Sequence, residues 1–265
     1  MKMDFSFSII LPTFNEEESL STFIPSLVDG LKNEDYEIIV VDDKSNDNTV
    51  GVVNDFSAKN EKIKIIQRSG NRSLPLSIYE GISASKSKFV MWLDADGSMD
   101  VDSVIKLVNS IKAKKDYVYI GSRFVKGGGY KGKEKISNLN LKNFYFNIVK
   151  SEDAILAVFL SLVFNKMLSI LLPLNIKDLT SGFIIGKKEY FVQEMFEGFT
   201  YGEYFINVVT ELHKSNILMK EIGYFCKPRV HGESKTSTNL FRLVSLSKPY
   251  IKTALNSRKK INENY

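Results

Sequence analysis

The sequence predicts an α/β fold with a mostly parallel sheet flanked by helices, and three observations carry that prediction. Short apolar runs rich in Ile and Val alternate with longer stretches of helical periodicity, the pattern of successive βαβ units. The runs are apolar throughout, as strands are when helices cover both sheet faces. Polar and charged residues follow each run, where the carboxyl ends of parallel strands meet ligands.

The elements follow in order. "FSIILP" (7–12) is the first strand. "EEESLSTFIPSLVDGLK" (16–32) spaces its apolar residues helically, opens on acids and reaches Gly30 near its end, with Pro25 marking a kink. "YEIIVVDD" (36–43) is the second strand, and "NDNTVGVVNDFSAKN" (46–60) is a helix opened by capping residues. "IKIIQR" (63–68) is the third strand; "LPLSIYEGISASK" (74–86) is a helix with Pro75 in its first turn. "KFVMWLDAD" (88–96) is the fourth strand, "DVDSVIKLVNSIKAKK" (100–115) a helix and "DYVYIGS" (116–122) the fifth strand. No internal repeat or low-complexity linker interrupts them.

Bulk properties bound the function classes. The chain has 265 residues, 43% hydrophobic and 25% charged, enough to bury a large core. Its formal charge of +5 is spread along the chain, densest near 131–135 and in "SRKK" (257–260). These lysines serve as solvated surface as readily as an anion site, and they lack the interleaved aromatics of a nucleic-acid platform. A nucleic-acid partner is therefore not expected. The single Cys226 excludes an internal disulfide, fits a reducing compartment and reads as a small buried hydrophobe. The apolar run "FSFSIIL" is short and runs into acids, so no signal peptide is expected.

Two later segments are ambiguous. "DAILAVFLSLVFNKMLSILLPL" (153–174) is strongly apolar, but Asn165, Lys166 and Pro173 argue against its crossing a bilayer. It is either an interfacial helix on a membrane or a buried core helix. "LFRLVSLSKPYIKTAL" (240–255) is either an amphipathic membrane-facing helix or one packed on the main domain. Ahead of them, "KGGGYKGKEK" (126–135) forms a basic, glycine-rich loop.

The chemistry concentrates at the strand tips. On a strand, Asp94 and Asp96 project together with Ala95 turned away. Paired carboxylates suit a hard cation, Mg²⁺ or Mn²⁺, that completes its shell with water and substrate phosphates. The turn at Gly97 leaves room for a phosphate. Asp42 and Asp43 at the second tip are placed to accept hydrogen bonds from a base or ribose, while Asn46 and Asp47 cap the next helix. Arg123, Arg229 and Lys235 supply cations for phosphates, with His231 a loop residue between the last two.

The segments "ILPTFNEEESL", "YEIIVVDDKSNDNT", "VMWLDADGS", "IGSRFVKGGG", "IKDLTSGF" and "RVHGESK" occur in the order found in one family. Over residues 5 to 240 the chain resembles the dolichol-phosphate mannose synthase-like enzymes. These are polyprenyl-phosphate glycosyltransferases of the inverting GT-A type, in glycosyltransferase family 2. The resemblance implies a GT-A, Rossmann-like catalytic domain over residues 1–240. An insertion with apolar helices lies at about 133–174, and a C-terminal amphipathic helix and basic tail occupy 241–265. It implies transfer of a sugar, mannose first and glucose second, from a nucleotide-diphospho-sugar such as GDP-mannose to a polyprenyl phosphate. The reaction would depend on Mg²⁺ or Mn²⁺ and proceed with inversion, on the cytoplasmic face of a membrane.

By motif, Pro12, Phe14 and Glu16 would line the nucleotide pocket, and Val41 and Asp43 would hold base or ribose. Asp94, Ala95, Asp96 and Ser98 would form the metal and diphosphate site. Arg123, Arg229 and Lys235 would hold phosphates, with Asp178 and Ser181 near the acceptor or sugar. Asp96, Arg123 and Asp178 are the expected catalytic set. The chain departs from the family at "RSLPLSIYEG", where Ser73 and Pro75 replace glycines, at Ser98, where Gln is usual, and at Asn207, an acidic position elsewhere. The family's basic residue before the apolar helix has its candidates in Lys133, Lys135, Lys142 and Lys150. A transferase acting on a sugar hydroxyl is the rival reading, with Asp178 or Glu203 as its base; a non-catalytic nucleotide-binding adaptor is another.

Overall fold

The computed structural model describes residues 5–130, 154–227 and 240–263. Five strands of the βα alternation come first: β1 (Phe7–Thr13), β2 (Tyr36–Asp42), β3 (Ile63–Gln67), β4 (Phe89–Trp92) and β5 (Tyr117–Ser122). Between them lie α1 (Glu17–Gly30), α2 (Thr49–Ser57), α3 (Leu74–Ala84) and α4 (Val101–Ala113). The second half adds α5 (Ala154–Leu171), β7 (Ile184–Lys187), α6 (Tyr204–Lys214), β8 (Leu218–Gly223) and α7 (Leu240–Asn262). A small two-stranded sheet joins β6 (Gly129–Tyr130) to β9 (Phe225–Cys226).

The main sheet has seven strands in the order β3-β2-β1-β4-β7-β5-β8. The α/β class and mostly parallel pairing expected from the alternation are both present. The exception is β7, which pairs antiparallel with β4 and with β5. It carries no helix-separated signal of its own, so it is not legible in the sequence as a sheet member. Its direction matters: an antiparallel strand begins at the rim where its parallel neighbours end. That brings the segment before it, residues 178–183, to the tips of β4 and β5.

Helices cover both faces, and the pleat sorts the side chains. Ile9, Leu11, Ile38, Val40 and Met91 pack with Leu20, Phe23, Leu27, Val104 and Leu107 of α1 and α4. Their neighbours Ile10, Ile39, Val41, Val90 and Trp92 face Ile78 and Ile82 of α3, Leu168 of α5 and Val208 and Val209 of α6. Each such buried side chain stabilises the fold by roughly 1.5–3 kcal/mol relative to exposure. Trp92 does more than fill space. Its Nε1 donates to Tyr204 Oη at 2.9 Å, and its ring meets Phe191 edge-on at 4.8 Å. The central strand is thereby tied to α6.

The ambiguous helices resolve in part. On α5, Asn165 and Leu168 turn inward, with Leu172 just beyond its end, whereas Leu162, Val163, Met167 and Ile170 are exposed, Ile170 at 71%. The helix is core on one side and open on the other. Asn165, an interruption in the apolar pattern, is 2% exposed. It donates to Thr180 Oγ1 at 2.8 Å and accepts from Leu179 N at 3.0 Å. On α7, Thr253, Ala254, Ser257 and Ile261 are buried, and Lys260 bonds Glu211 of α6 at 2.7 Å. The described C-terminal turns are thus packed on the domain. Among the described residues, no helix is long and apolar enough to cross a membrane.

Candidate active site

The rim of the sheet carries a cavity of about 310 Å³ between the tips of β1, β2 and β4. Two loops that follow β1 and β2 are cross-linked beside it. Asn15, in a left-handed conformation at φ 56°, accepts from Asn46 N at 2.8 Å and donates its own N–H to Ser45 Oγ at 2.8 Å. Asp47 accepts from Thr49 N at 3.0 Å and from Glu17 N at 3.2 Å, while Glu17 accepts from Asn48 N at 3.0 Å. These acids therefore cap α1 and α2 across the two loops, satisfying helix-end N–H groups. Burial works against the Asp47 carboxylate, and the bonds from Thr49 and Glu17 more than offset it, holding its pKa below the usual range. The capping expectation holds for Asp47. Asp42 turns to Ser45, whose backbone N–H donates at 3.0 Å.

Asp43 instead lines the cavity with Pro12, Phe14 and Glu16. Its carboxylate accepts from Arg68 Nη1 at 2.6 Å and from Ser73 N at 2.7 Å. Arg68 is itself buried and reaches Glu80 through Nε at 2.8 Å. Val41 requires a correction: its side chain is fully buried against α3, away from the cavity. A valine inside β2 packs in the core, and only its carbonyl, accepting from Thr13 Oγ1 at 3.4 Å, faces the rim.

The opposite side of the cavity holds Asp94, Ala95 and Asp96. A second correction concerns how they converge. Strand β4 stops at Trp92, so the two acids stand on a turn rather than on one strand face. The turn needs a positive φ, 72°, which Gly97 supplies. Asp96 is 4% exposed and accepts from Ser98 N at 2.9 Å, so Ser98 shapes the turn through its backbone. Ser98 O accepts from Lys227 N at 2.9 Å, and Lys227 Nζ pairs with Asp100 at 3.2 Å. This fastens the end of β9 to the acidic turn.

These residues fit a hard divalent cation. Both carboxylates open on one polar cavity, and among the described residues no third His, Cys, Asp or Glu completes a protein cage. Two carboxylates with room for water and phosphate oxygens is the donor set Mg²⁺ accepts.

Just past the end of β5, Arg123 gives three donors to Asp178. Its N and Nε donate to Oδ2 at 2.9 Å each, and Nη2 donates to Oδ1 at 2.7 Å. Nη2 also donates to Thr180 Oγ1 at 2.8 Å. Burial would lower the arginine pKa, but the Asp178 charge and bonds raise it further, so the guanidinium is a permanent cation. Asp178 is fully buried, and the N–H groups of Lys177 and Asp178 donate to Glu221. This is a third correction: Asp178 does not open on the cavity but anchors Arg123. Ser181 donates to Gly121 O at 2.5 Å and accepts from Phe183 N at 3.2 Å, so it joins β5 to β7 rather than lining the cavity. Cys226 feels the charges of both groups. Burial pushes its thiol up to about 11, Arg123 pulling it down and Asp96 and Asp94 adding to the rise. Arg229, Lys235 and His231, together with Lys133, Lys135, Lys142 and Lys150, lie outside the described residues.

Three lining residues carry no mark in the sequence. Arg72 stacks over the Phe14 ring at 3.3 Å, in the stretch distinguished in the sequence only by its missing glycines. Thr200 and Tyr201 form a wall whose N–H groups both donate to Glu203. No motif singles them out. Ser73, a departure from glycine, caps α3 by accepting from Leu76 N at 3.4 Å. Asn207 donates to Met195 O at 3.1 Å and accepts from Lys260 at 3.0 Å.

Comparison with known proteins shows the family and the fold. The family profile described as "Glycosyl transferase family 2" matches residues 8–193. A dolichol-phosphate mannosyltransferase of Pyrococcus furiosus is 32% identical over 182 residues, 69% of this chain and 46% of that protein. A dolichyl-phosphate beta-glucosyltransferase of Trichomonas vaginalis is 25% identical over 193 residues, 69% of this chain and 52% of that protein. The chain thus spans about half the length of these curated relatives. Among solved structures, glucosyl-3-phosphoglycerate synthase from Mycobacterium tuberculosis, in complex with Mn²⁺, UDP and phosphoglyceric acid, superposes with a TM-score of 0.62. It shares 15% identity, with 97% of this chain and 80% of that one covered, a likeness of fold.

Proposed function

The chain belongs to glycosyl transferase family 2, and from that premise we propose that it transfers a sugar from a nucleotide-diphospho-sugar to a polyprenyl phosphate. Mannose from GDP-mannose is the first choice and glucose from UDP-glucose the second. That it is a glycosyltransferase follows from the family; the donor and acceptor are our reading.

The observation that carries the reading is the Arg123–Asp178 pair. It fixes a permanent cation, near enough to the acidic turn that Arg123, Asp94 and Asp96 all act on the Cys226 thiol, and offers its positive charge to a phosphate. It also consumes Asp178 as a base, while Glu203 is engaged by Thr200 and Tyr201. An acceptor hydroxyl needs a base; an acceptor phosphate, with its second pKa near about 6, is already ionised at neutral pH.

The site residues then divide the work. Pro12, Phe14 and Asp43 receive the nucleoside. Asp94 and Asp96 hold Mg²⁺ or Mn²⁺, whose charge offsets that developing on the departing diphosphate. Arg123, with Arg229 and Lys235, orients the acceptor phosphate for in-line attack at the anomeric carbon, with inversion. The exposed apolar face of α5 rests on the cytoplasmic face of the membrane that carries the lipid.

The test is transfer of radiolabelled sugar from a panel of GDP- and UDP-sugars into polyprenyl phosphate, with Mn²⁺ or Mg²⁺ and again with chelator. Labelled lipid that requires metal and is lost in Asp96→Ala supports the reading. Donor turnover that labels a sugar hydroxyl and never the lipid refutes it.

A further inference from the structure

The wall formed by Thr200 and Tyr201 is held from two sides. Below it, the Glu203 carboxylate accepts from Thr200 N at 3.0 Å, Thr200 Oγ1 at 3.1 Å and Tyr201 N at 3.2 Å. Behind it stands Tyr250, from the C-terminal helix α7. A methyl group built on Gly202 would lie 2.2 Å from the Tyr250 hydroxyl oxygen and 3.3 Å from Cζ. The two residues therefore touch with no space to spare. Phe164 of α5 meets the Tyr250 ring edge-on at 5.8 Å and 77°. Wedged between Phe164 and Gly202, the ring has little freedom to withdraw.

Neither the wall nor the wedge lies within residues 8–193, the part matched to the family. Yet the wall shares one cavity with Asp94 and Asp96. The Asp94 charge also acts on the Tyr250 hydroxyl, whose pKa burial raises first and Tyr201, Glu203 and Asp94 raise further. The C-terminal helix thus packs behind the cavity wall, against Gly202.

We propose that Tyr250 is a positioning residue for the donor cavity, setting through Gly202 how closely the Thr200–Tyr201 wall approaches the transferred sugar. The inference rests on the donor reading above. It makes the helix outside the family domain a determinant of which sugar fits.

The test is calorimetric binding of GDP-mannose and UDP-glucose, each against its nucleoside diphosphate, to the full chain with Mn²⁺. Gly202→Ala pushes the wall off Tyr250 and is expected to weaken sugar-donor binding roughly tenfold, since a displacement of about 1 Å is costly at such sites. Tyr250→Phe removes the hydroxyl and alone changes little. In the double variant the 2.2 Å clash is gone, the added methyl meeting Cζ at 3.3 Å and Cε1 at 3.7 Å, and donor binding returns to within about threefold of wild type, a coupling expected of residues in contact. Should Gly202→Ala fail to fold, Tyr250→Leu withdraws the wedge and is expected to weaken the sugar donor more than the nucleoside diphosphate. Changes in melting temperature with donor binding unaltered, or effects that multiply in the double variant, overturn the inference. A wild type that binds neither donor overturns the reading beneath it, and the inference with it; failure of the inference alone shows only in the variants.

Discussion

Two arginine–aspartate pairs stand at the sheet rim with opposite polarity. In the first, both side chains are largely buried, Arg68 at 2% and Asp43 at 8%, 2.6 Å apart, and Asp43 is the member that lines the cavity. In the second, the Asp178 side chain is 0% exposed and Arg123 is 15% exposed, 2.7 Å away. The chemistry of the two bonds is the same; the member turned outward differs, the acid toward the cavity in the first and the partly exposed cation in the second. In the first pair the cation lies behind and the cavity meets a carboxylate, able to accept hydrogen bonds from a nucleoside. In the second the buried acid grips the Nε–Nη2 edge of the guanidinium and leaves its positive charge to attract phosphate. Neither pair stabilises the fold simply by existing, because desolvation offsets much of the attraction. Each holds one charge where solvent alone would not keep it fixed.

The largest break in this comparison comes from Arg123→Ala. It strands Asp178 in the core, away from water, and is expected to cost about 3–5 kcal/mol. The check is the urea midpoint, with the m-value unchanged. Arg68→Ala strands Asp43 beside the cavity, where water reaches it and Ser73 N still donates. A smaller loss of about 1–3 kcal/mol is expected in the same assay, accompanied by weaker donor binding. If Arg68→Ala were the more destabilising, the relative depth assigned to Asp178 and Asp43 would be reversed.

A third pair sharpens the contrast by being nearly harmless. Lys260 of α7 reaches Glu211 of α6 with side chains 43% and 23% exposed. Burial raises the Glu211 pKa, and Lys260 with Lys214 more than offsets it, leaving it below its ordinary 4.5. A depressed carboxylate stabilises the fold fully above its unfolded pKa and ceases to do so as pH falls through the folded value. The contribution should therefore be flat from neutral pH down to about 4.5 and fade below it. Lys260→Ala should remove at most about 1 kcal/mol, and less at high salt, as read from the melting temperature against pH.

How much of this is legible from the residues alone differs between the halves of the chain. Strands β1 to β5 and their helices announce themselves, because an apolar run of four to seven residues set between helical periods forms a buried strand far more readily than a helix. Asp43, Asp94 and Asp96 follow, since they stand at strand ends. The misreadings come from register and direction. Val41 and Asp43 are two residues apart, yet only Asp43 has left the strand. Strand alternation would bring Asp94 and Asp96 together, whereas a glycine turn is what does so. The motif around Asp178 says nothing of its depth, because nothing local announces that β7 runs antiparallel between β4 and β5. Thr200, Tyr201 and Tyr250 leave no signal at all: their roles arise from contacts between α7 and the segment before α6, which no spacing encodes.

The most direct test of the two opposed pairs separates the substrates kinetically. Steady-state transfer would be measured with wild type, Asp43→Asn and Arg123→Lys, varying donor and polyprenyl phosphate independently. Asp43→Asn is expected to raise the KM for donor roughly tenfold and leave that for acceptor unchanged. Arg123→Lys, which keeps the charge but loses the two-bond grip of Asp178 that positions it, is expected to raise the KM for acceptor by a similar factor and spare the donor. Both variants raising the same KM would contradict the division of labour, and would merge the two pairs into a single binding site.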